Sequence, residues 1–279
     1  MFDRKKYKKF AKAQLKHRWG IAILVSFLIF AISYIFQIPS MISLFASDAF
    51  NELVNNPVAS YDYLLNVLTV ATNSTPMLVS IIQSIVTIIF TVAAIRVFIV
   101  MTRSPEPVKF NSFLEGLTFW GKAILGMLWL GLWIFLWTLI PMFVLIIVMT
   151  IVTALTITGS TALVISAAVV GGIAVLASTI PVIMKSYSYS QIYYVIAEHK
   201  NVSVIKALNI SKTITKGHKW DLFVVDLSFI GWAILAAIPA GIGFIFLTPY
   251  MYLTEINAYH GILQESIEKG SIKPEDFAE

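Results

Sequence analysis

Three ionisable residues stand inside otherwise apolar stretches, and they are the clearest candidates for chemistry. Arg96, Asp226 and Glu255 each lie within seven residues of a Trp, His or Arg that marks a polar edge. At a helical rise of 1.5 Å per residue, each side chain is about 8–10 Å deep in an apolar layer. An unpaired charge there costs several kcal/mol, so such groups are expected to face one another inside a bundle. We predict that Arg96 pairs with Asp226, Glu255 or both.

Such a charge cluster has three alternative roles. An ion pair would fix the register of the helices, whereas a series of ionisable groups would serve a solute or proton pathway. Arg96 could instead extend to the lipid headgroups without any partner. The tyrosines of KSYSYSQIYYVIAE could line a site, although tyrosine is also common at membrane interfaces. The residues alone leave these alternatives open.

No catalytic constellation accompanies these charges in the sequence. The four His residues lie far apart, and no HExxH, GxSxG or Walker A run is present. The chain has no Cys, which excludes disulfides, thiolate metal sites and a Cys nucleophile. We therefore expect no catalytic residue, no metal site and no cofactor, and we predict that the protein is not an enzyme. A membrane-embedded lipid-processing enzyme is the weakest alternative.

The composition indicates that the stretches around these charges lie in a lipid bilayer rather than in water. The chain is 58% hydrophobic and 13% charged, whereas a soluble domain is nearer half apolar and a quarter charged. Its apolar runs approach the ~20 residues that cross a bilayer, and they lack the alternation of β-barrel strands. We predict an all-α polytopic membrane bundle. Its six transmembrane helices are expected at 19–39, 77–101, 121–157, 161–184, 220–238 and 240–260.

Charge placement sets the number and direction of these spans. With six spans, all 20 Lys and Arg residues lie on or near one face, whereas the connection 40–76 holds three acidic residues and no cation. The positive-inside rule then places both termini in the cytosol. Breaking the stretch 121–157 at Pro141 would give seven spans and spoil this segregation. We therefore expect Pro141 to bend one long helix.

The sequence also contains a candidate threefold repeat. Trp19, Trp120 and Trp220 lie 101 and 100 residues apart, each after a mixed basic and apolar stretch and before an apolar run that reaches a proline. We interpret each unit as a hairpin of two spans preceded by a cytoplasmic amphipathic helix. Coincidence is the alternative, because Trp is common at membrane interfaces. The units of this single membrane domain, 1–279, are approximately 1–103, 104–190 and 191–265, followed by a cytoplasmic tail, 266–279.

Two basic stretches have the pattern of amphipathic helices. Tyr7, Phe10, Ala11 and Leu15 lie opposite the lysines of the first stretch, and three lysines form a stripe in 202–219. Such helices suit the headgroup plane, where each cation near anionic lipid is worth about 1 kcal/mol. We predict anionic membrane lipids as partners and no nucleic acid, since the cations follow membrane edges; determining topology is the alternative role. The candidate interfacial lipid contacts are Lys8, Lys12, Lys16, Trp19, Trp120, Lys212, Lys216, Lys219 and Trp220.

The chain resembles a known family over nearly its whole length. The resemblance rests on RKKYKKFAKAQLKHRWGIAILVS, IPVIMKSYSYSQIYYVIAE and KALNISKTITKGHKWDLFVVDLSFIGW, with TPYMYLTEINAYHGIL near the end. These blocks are similar to the bacterial integral membrane family catalogued as domain of unknown function nine hundred and seventy-five. Pro181-Val182 departs from the Pro-Gly that is usual there. The resemblance implies a six-span plasma-membrane protein and brings no catalytic residues. A more distant likeness is to membrane domains attached to glycerophosphodiester phosphodiesterases.

Together these features predict a non-enzymatic multi-pass protein of the bacterial cytoplasmic membrane. Its expected role is in envelope maintenance, immunity or assembly, as a scaffold with unknown protein partners. The alternative is a small-solute, ion or lipid transporter in which Arg96, Asp226 and Glu255 bind cargo. A transporter needs a polar cavity that reaches past mid-membrane, whereas a scaffold can be packed solid.

Overall fold

The computed structural model describes residues 2–55, 65, 76–157, 159–239 and 241–277, apart from the side chains of 49 and 52–54. All regular structure in this part of the chain is helical, which confirms the predicted all-α class. Most of the predicted outer connection 40–76 lies outside the described residues. The helices are α1 (Arg4–Leu15), α2 (Trp19–Ile35), α3 (Ile38–Phe45), α4 (Asp48–Asn55), α5 (Met77–Arg103), α6 (Asn111–Leu117), α7 (Trp120–Ile157), α8 (Thr161–Tyr189), α9 (Ile192–Glu198), α10 (Val204–Ile214), α11 (Lys219–Leu227), α12 (Ile230–Ala237), α13 (Phe244–Glu268) and a 3₁₀ turn (Pro274–Phe277).

A sharp bend separates the basic N-terminal helix from the first apolar one. The Asp3 side chain caps α1 by accepting from the backbone N–H groups of Lys5 and Lys6. After α1 ends, His17 takes a positive φ of 63°, a conformation that non-glycine residues seldom adopt. The chain then starts α2 at an angle of 103° to α1. The basic helix therefore leaves the line of the apolar helix that follows it.

Each of the three tryptophans of the candidate repeat lies at or next to the start of a helix. α2 begins at Trp19, α7 begins at Trp120, and α11 begins one residue before Trp220. A short helix precedes each of these starts, namely α1, α6 and α10. The packing of three hairpins around a common axis stays a prediction.

Four helical stretches of the described chain are long and apolar enough to cross a membrane. The bent pair α1–α2 raises the number to five if it forms one span. The remaining predicted span corresponds to α13, whose second half carries Glu255, His260 and Glu265 and is therefore less apolar. These four stretches are Met77–Arg103, Trp120–Ile157, Thr161–Glu198 and Lys219–Ala237.

The long apolar stretch forms one unbroken helix, as expected. α7 has 38 residues and continues through Pro141. At 1.5 Å per residue it is about 57 Å long, nearly twice the ~30 Å hydrocarbon layer. It packs along α8, and a Cβ atom on Gly171 would lie only 2.3 Å from Val148, so the two helices are in close contact there.

The densest packing lies at the predicted cytoplasmic end of the helices. The second half of α5 is almost completely buried, together with most of α9, one face of α10 and the middle of α13. Tyr7, Ala11 and Leu15 of α1 join this core. Three of the four residues predicted for the apolar face of α1 therefore pack against protein rather than facing lipid, whereas the fourth, Phe10, is exposed. Most large apolar side chains of α7 and α8 are exposed.

Candidate functional site

Arg96 pairs with neither predicted carboxylate among the described residues. Its guanidinium lies 3.4 Å from the Glu115 carboxylate and donates to the Ala197 carbonyl oxygen at 3.4 Å. The Glu115 side chain is 63% exposed, and ion pairs at such positions contribute about 0–1 kcal/mol. The predicted pairing of Arg96 with Asp226 or Glu255 was wrong, because helix α6 brings another carboxylate into reach.

Tyrosines hold the other two members of the predicted cluster. The Tyr187 hydroxyl donates to the Asp226 carboxylate at 2.7 Å, and the Tyr194 hydroxyl donates to the Glu255 carboxylate. The three predicted residues therefore divide into an exposed ion pair at Arg96 and a carboxylate–tyrosine group, which we call the acid–tyrosine group (Asp226, Glu255, Tyr187 and Tyr194).

Neighbouring rings hold the aromatic residues around this group. Phe223 meets the Tyr187 ring edge-on at 6.0 Å between centroids, and Tyr194 packs 5.7 Å from the Tyr259 ring. Such contacts restrict ring orientation and so direct each hydroxyl at its carboxylate. The tyrosines therefore act as positioned hydrogen-bond donors and not as loosely held interfacial side chains.

A second charged centre lies at Glu198, which the sequence analysis did not select. Its side chain is only 1% exposed, and its carboxylate pairs with Arg103 and lies 2.9 Å from Nε2 of His260. Nε2 of His199 lies 3.5 Å from the other carboxylate oxygen. Glu198 therefore links the ends of α5 and α9 to α13. The available signal was an acid placed directly between the apolar run YYVIA and a histidine.

A cavity of about 430 Å³, lined by both charged and apolar side chains, lies beside Glu198. The C-terminal 3₁₀ turn forms part of its wall, and the Phe277 ring stacks on His199 with 4.1 Å between centroids. The buried Tyr259 hydroxyl has no hydrogen-bond partner among the described residues. In the same part of the chain, no group of three or more His, Cys, Asp or Glu residues could hold a metal ion.

Several cations that the sequence assigns to membrane edges bind the ends of neighbouring helices. Arg18 donates to the carbonyl oxygens of Met101 and Ser104 at 3.0 and 2.7 Å, where α5 ends. Lys122 donates to the carbonyl oxygens of Lys200 and Val202 at 2.7 and 2.6 Å, after α9. Cations at helix C-termini satisfy orphan carbonyl groups and complement the helix dipole. Part of the positive charge therefore stabilises the fold.

The candidate lipid contacts occupy different settings, and their contact with lipid stays a prediction. Lys8 is half-buried, donates to the Ser228 carbonyl at 3.2 Å and lies 4.0 Å from the Phe229 ring centre. Burial lowers the pKa of its amine, and the neighbouring Arg4 and Lys12 charges lower it further. The remaining candidates reach the surface at least in part, and they are Lys12, Lys16, Trp19, Trp120, Lys212, Lys216, Lys219 and Trp220.

Comparison with known families decides the identity of the chain. Residues 1–266 match the family described as Protein of unknown function (DUF975). The chain belongs to this family. The DUF975 match confirms the resemblance found in the sequence, and it ends before the 3₁₀ turn that packs on His199. No curated protein and no solved structure matches the chain. For this DUF975 member, residue roles therefore rest on geometry.

Proposed function

We propose that this DUF975 protein is a six-span protein of the bacterial cytoplasmic membrane with both termini in the cytosol. Its role would be that of a non-enzymatic scaffold in envelope maintenance, immunity or assembly. The long apolar helices support the membrane setting. The placement of all 20 Lys and Arg residues supports the orientation.

The scaffold role is supported mainly by the contacts that the buried carboxylates make between helices. Asp226 of α11 takes its donor from α8, and Glu255 of α13 takes its donor from α9. Glu198 of α9 is tied to α5 and α13. A transport site must release its internal partners to receive cargo, whereas these groups bind one helix to another. Such ties suit a rigid scaffold.

The acid–tyrosine group also favours a second candidate, an ion- or proton-coupled transporter. Ionisable side chains inside membrane helices often mark ion or proton pathways. Asp226 and Glu255 each accept a hydrogen bond from a tyrosine hydroxyl rather than from a cation.

The substitution Glu255→Gln separates the two candidates. Under the scaffold role the amide oxygen can still accept from Tyr194, so a deletion strain carrying the variant should match one carrying wild type. Untargeted uptake and lipidomics should then show no solute whose import depends on the chain. Glu106→Gln, at an exposed carboxylate between α5 and α6, is the matched control. A solute whose import requires wild type and is lost in Glu255→Gln, with an unchanged melting temperature, would establish transport instead.

A further inference from the structure

Two apolar grooves open beside equivalent tryptophans of the repeat. The first, of about 410 Å³, runs between α1, α2, α12 and α13, and we call it the Trp19 groove. Leu235, Phe246 and Leu247 are among its apolar walls, and Lys12 stands at its rim. The Lys12 amine lies 5.7 Å from the centre of another lining ring, that of Tyr250.

The second groove, of about 350 Å³, lies between α8 and α11, and we call it the Trp220 groove. Ile180, Ile183 and Phe223 are among its apolar walls, and Lys219 lies beside Trp220 at its edge. Both grooves therefore combine an apolar channel with one lysine and the tryptophan that starts an outward span. Trp220 is 71% exposed and Trp19 is 40% exposed, so both rings face the surroundings of the protein.

We propose that the Trp19 and Trp220 grooves each bind one anionic glycerophospholipid. The acyl chain lies in the apolar channel, and the phosphate meets Lys12 or Lys219. The proposal rests on the membrane setting proposed above and is independent of the scaffold role. Charge complementarity selects the occupant, because each groove has one lysine in an otherwise largely apolar lining.

The physics of the bilayer assigns separate roles to the channel and the lysine. An acyl chain that moves from the bilayer into a groove gains little hydrophobic energy, because lipid tails are as apolar as the groove walls. The apolar channel therefore determines how well an acyl chain fits, and the contact between lysine and headgroup determines which class of lipid is preferred. An ammonium–phosphate contact is a charge-assisted hydrogen bond, and Trp rings prefer the headgroup level. Anionic lipids should thus be preferred over zwitterionic lipids of the same chain length.

Trp120, the tryptophan of the middle unit, differs from the other two in the lysine that lies near it. Lys122, two residues after Trp120, is already bonded to two backbone carbonyl groups. Its amine is therefore already bonded within the protein, and we propose lipid sites only in the other two units.

Native mass spectrometry of the full-length protein in detergent tests the proposal. The protein is titrated with phosphatidylglycerol or with phosphatidylcholine that carries the same acyl chains. Wild type should retain two phosphatidylglycerol molecules more tightly than phosphatidylcholine. Lys12→Gln and Lys219→Gln should each weaken one phosphatidylglycerol site roughly five-fold and leave phosphatidylcholine unchanged. Lys9→Gln and Lys200→Gln, at exposed lysines outside the candidate lipid contacts, are the controls and should have little effect.

A second variant tests the channel itself. Leu235→Trp fills the Trp19 groove from its exposed wall and should weaken one site for both lipids without lowering the melting temperature. Equal retention of the two lipids by wild type would overturn the proposal, as would equal losses in the control lysine variants. Unchanged binding in Leu235→Trp would overturn the groove assignment, because the lipid would then be held only at the surface. None of these outcomes depends on whether the protein acts as a scaffold or transports a solute.

Discussion

Glu198→Ala is expected to lower the melting temperature in detergent by about 6–12 °C. The substitution removes a carboxylate that is 1% exposed and that joins Arg103 to His260. Loss of one partner from a buried charged network costs about 3–5 kcal/mol, and the exposed end of Arg103 places the expected cost at the low end of that range. Thermal unfolding followed by circular dichroism measures the shift.

Glu115→Ala is the matched control for this prediction. Glu115 also pairs with an arginine, Arg96, but its side chain is 63% exposed. Exposed ion pairs contribute about 0–1 kcal/mol, so the melting temperature should fall by no more than about 4 °C. Equal shifts in the two variants would show that the burial of Glu198 does not give it a special part in holding the helices together.

Gly116→Leu is expected to be the most damaging substitution on the α5–α6 contact. A Cβ atom at this position would lie 2.4 Å from Cα of Ala93, which is fully buried in α5. Because the obstacle is backbone, α6 must move away, and Arg96 would lose its position beside Glu115. Overpacking of this kind costs about 1–3 kcal/mol or more. The melting temperature of the variant and its yield as a monodisperse peak in gel filtration measure the effect.

Gly121→Ala provides a control of opposite sign. It lies in the first turn of α7, and an added Cβ would meet nothing within 4 Å. Replacing an unconstrained helical glycine with alanine stabilises a helix by up to about 1 kcal/mol. Gly121→Ala should therefore match or exceed the wild-type melting temperature. Destabilisation by Gly121→Ala as large as that by Gly116→Leu would contradict the α5–α6 geometry.

The sequence predicts where helices start when a basic stretch runs into an apolar one. The starts of α2, α7 and α11 lie within one residue of the predicted spans, because the change in composition at each tryptophan is a local signal. The turn between α8 and α9 was not predicted. The run SYSQIYY contains no Gly or Pro there, so the turn depends on packing against distant helices.

The sequence also identifies the buried carboxylates but not their partners. Counting residues from the polar edge assumes that each span is a separate straight helix. It therefore places Arg96 at the same depth in the membrane as Asp226 and Glu255. In the structure, α6 and α9 bring Glu115 and Tyr194 into reach first. Short helices between spans decide these contacts, and their positions depend on tertiary packing that local sequence patterns do not record. Glu198 does have a local signal in the sequence, but its pairing with Arg103 and His260 depends on tertiary packing in the same way.

The central claim is that the chain crosses the membrane six times with both ends in the cytosol. Because the chain has no Cys, single-cysteine variants can be labelled cleanly with a membrane-impermeant maleimide. Asn55→Cys, Thr161→Cys and Pro239→Cys should react in intact cells, whereas Lys200→Cys and Ser271→Cys should react only after the membrane is opened. Protection of Thr161→Cys or Pro239→Cys in intact cells, or labelling of Ser271→Cys from outside, would contradict the six-span account.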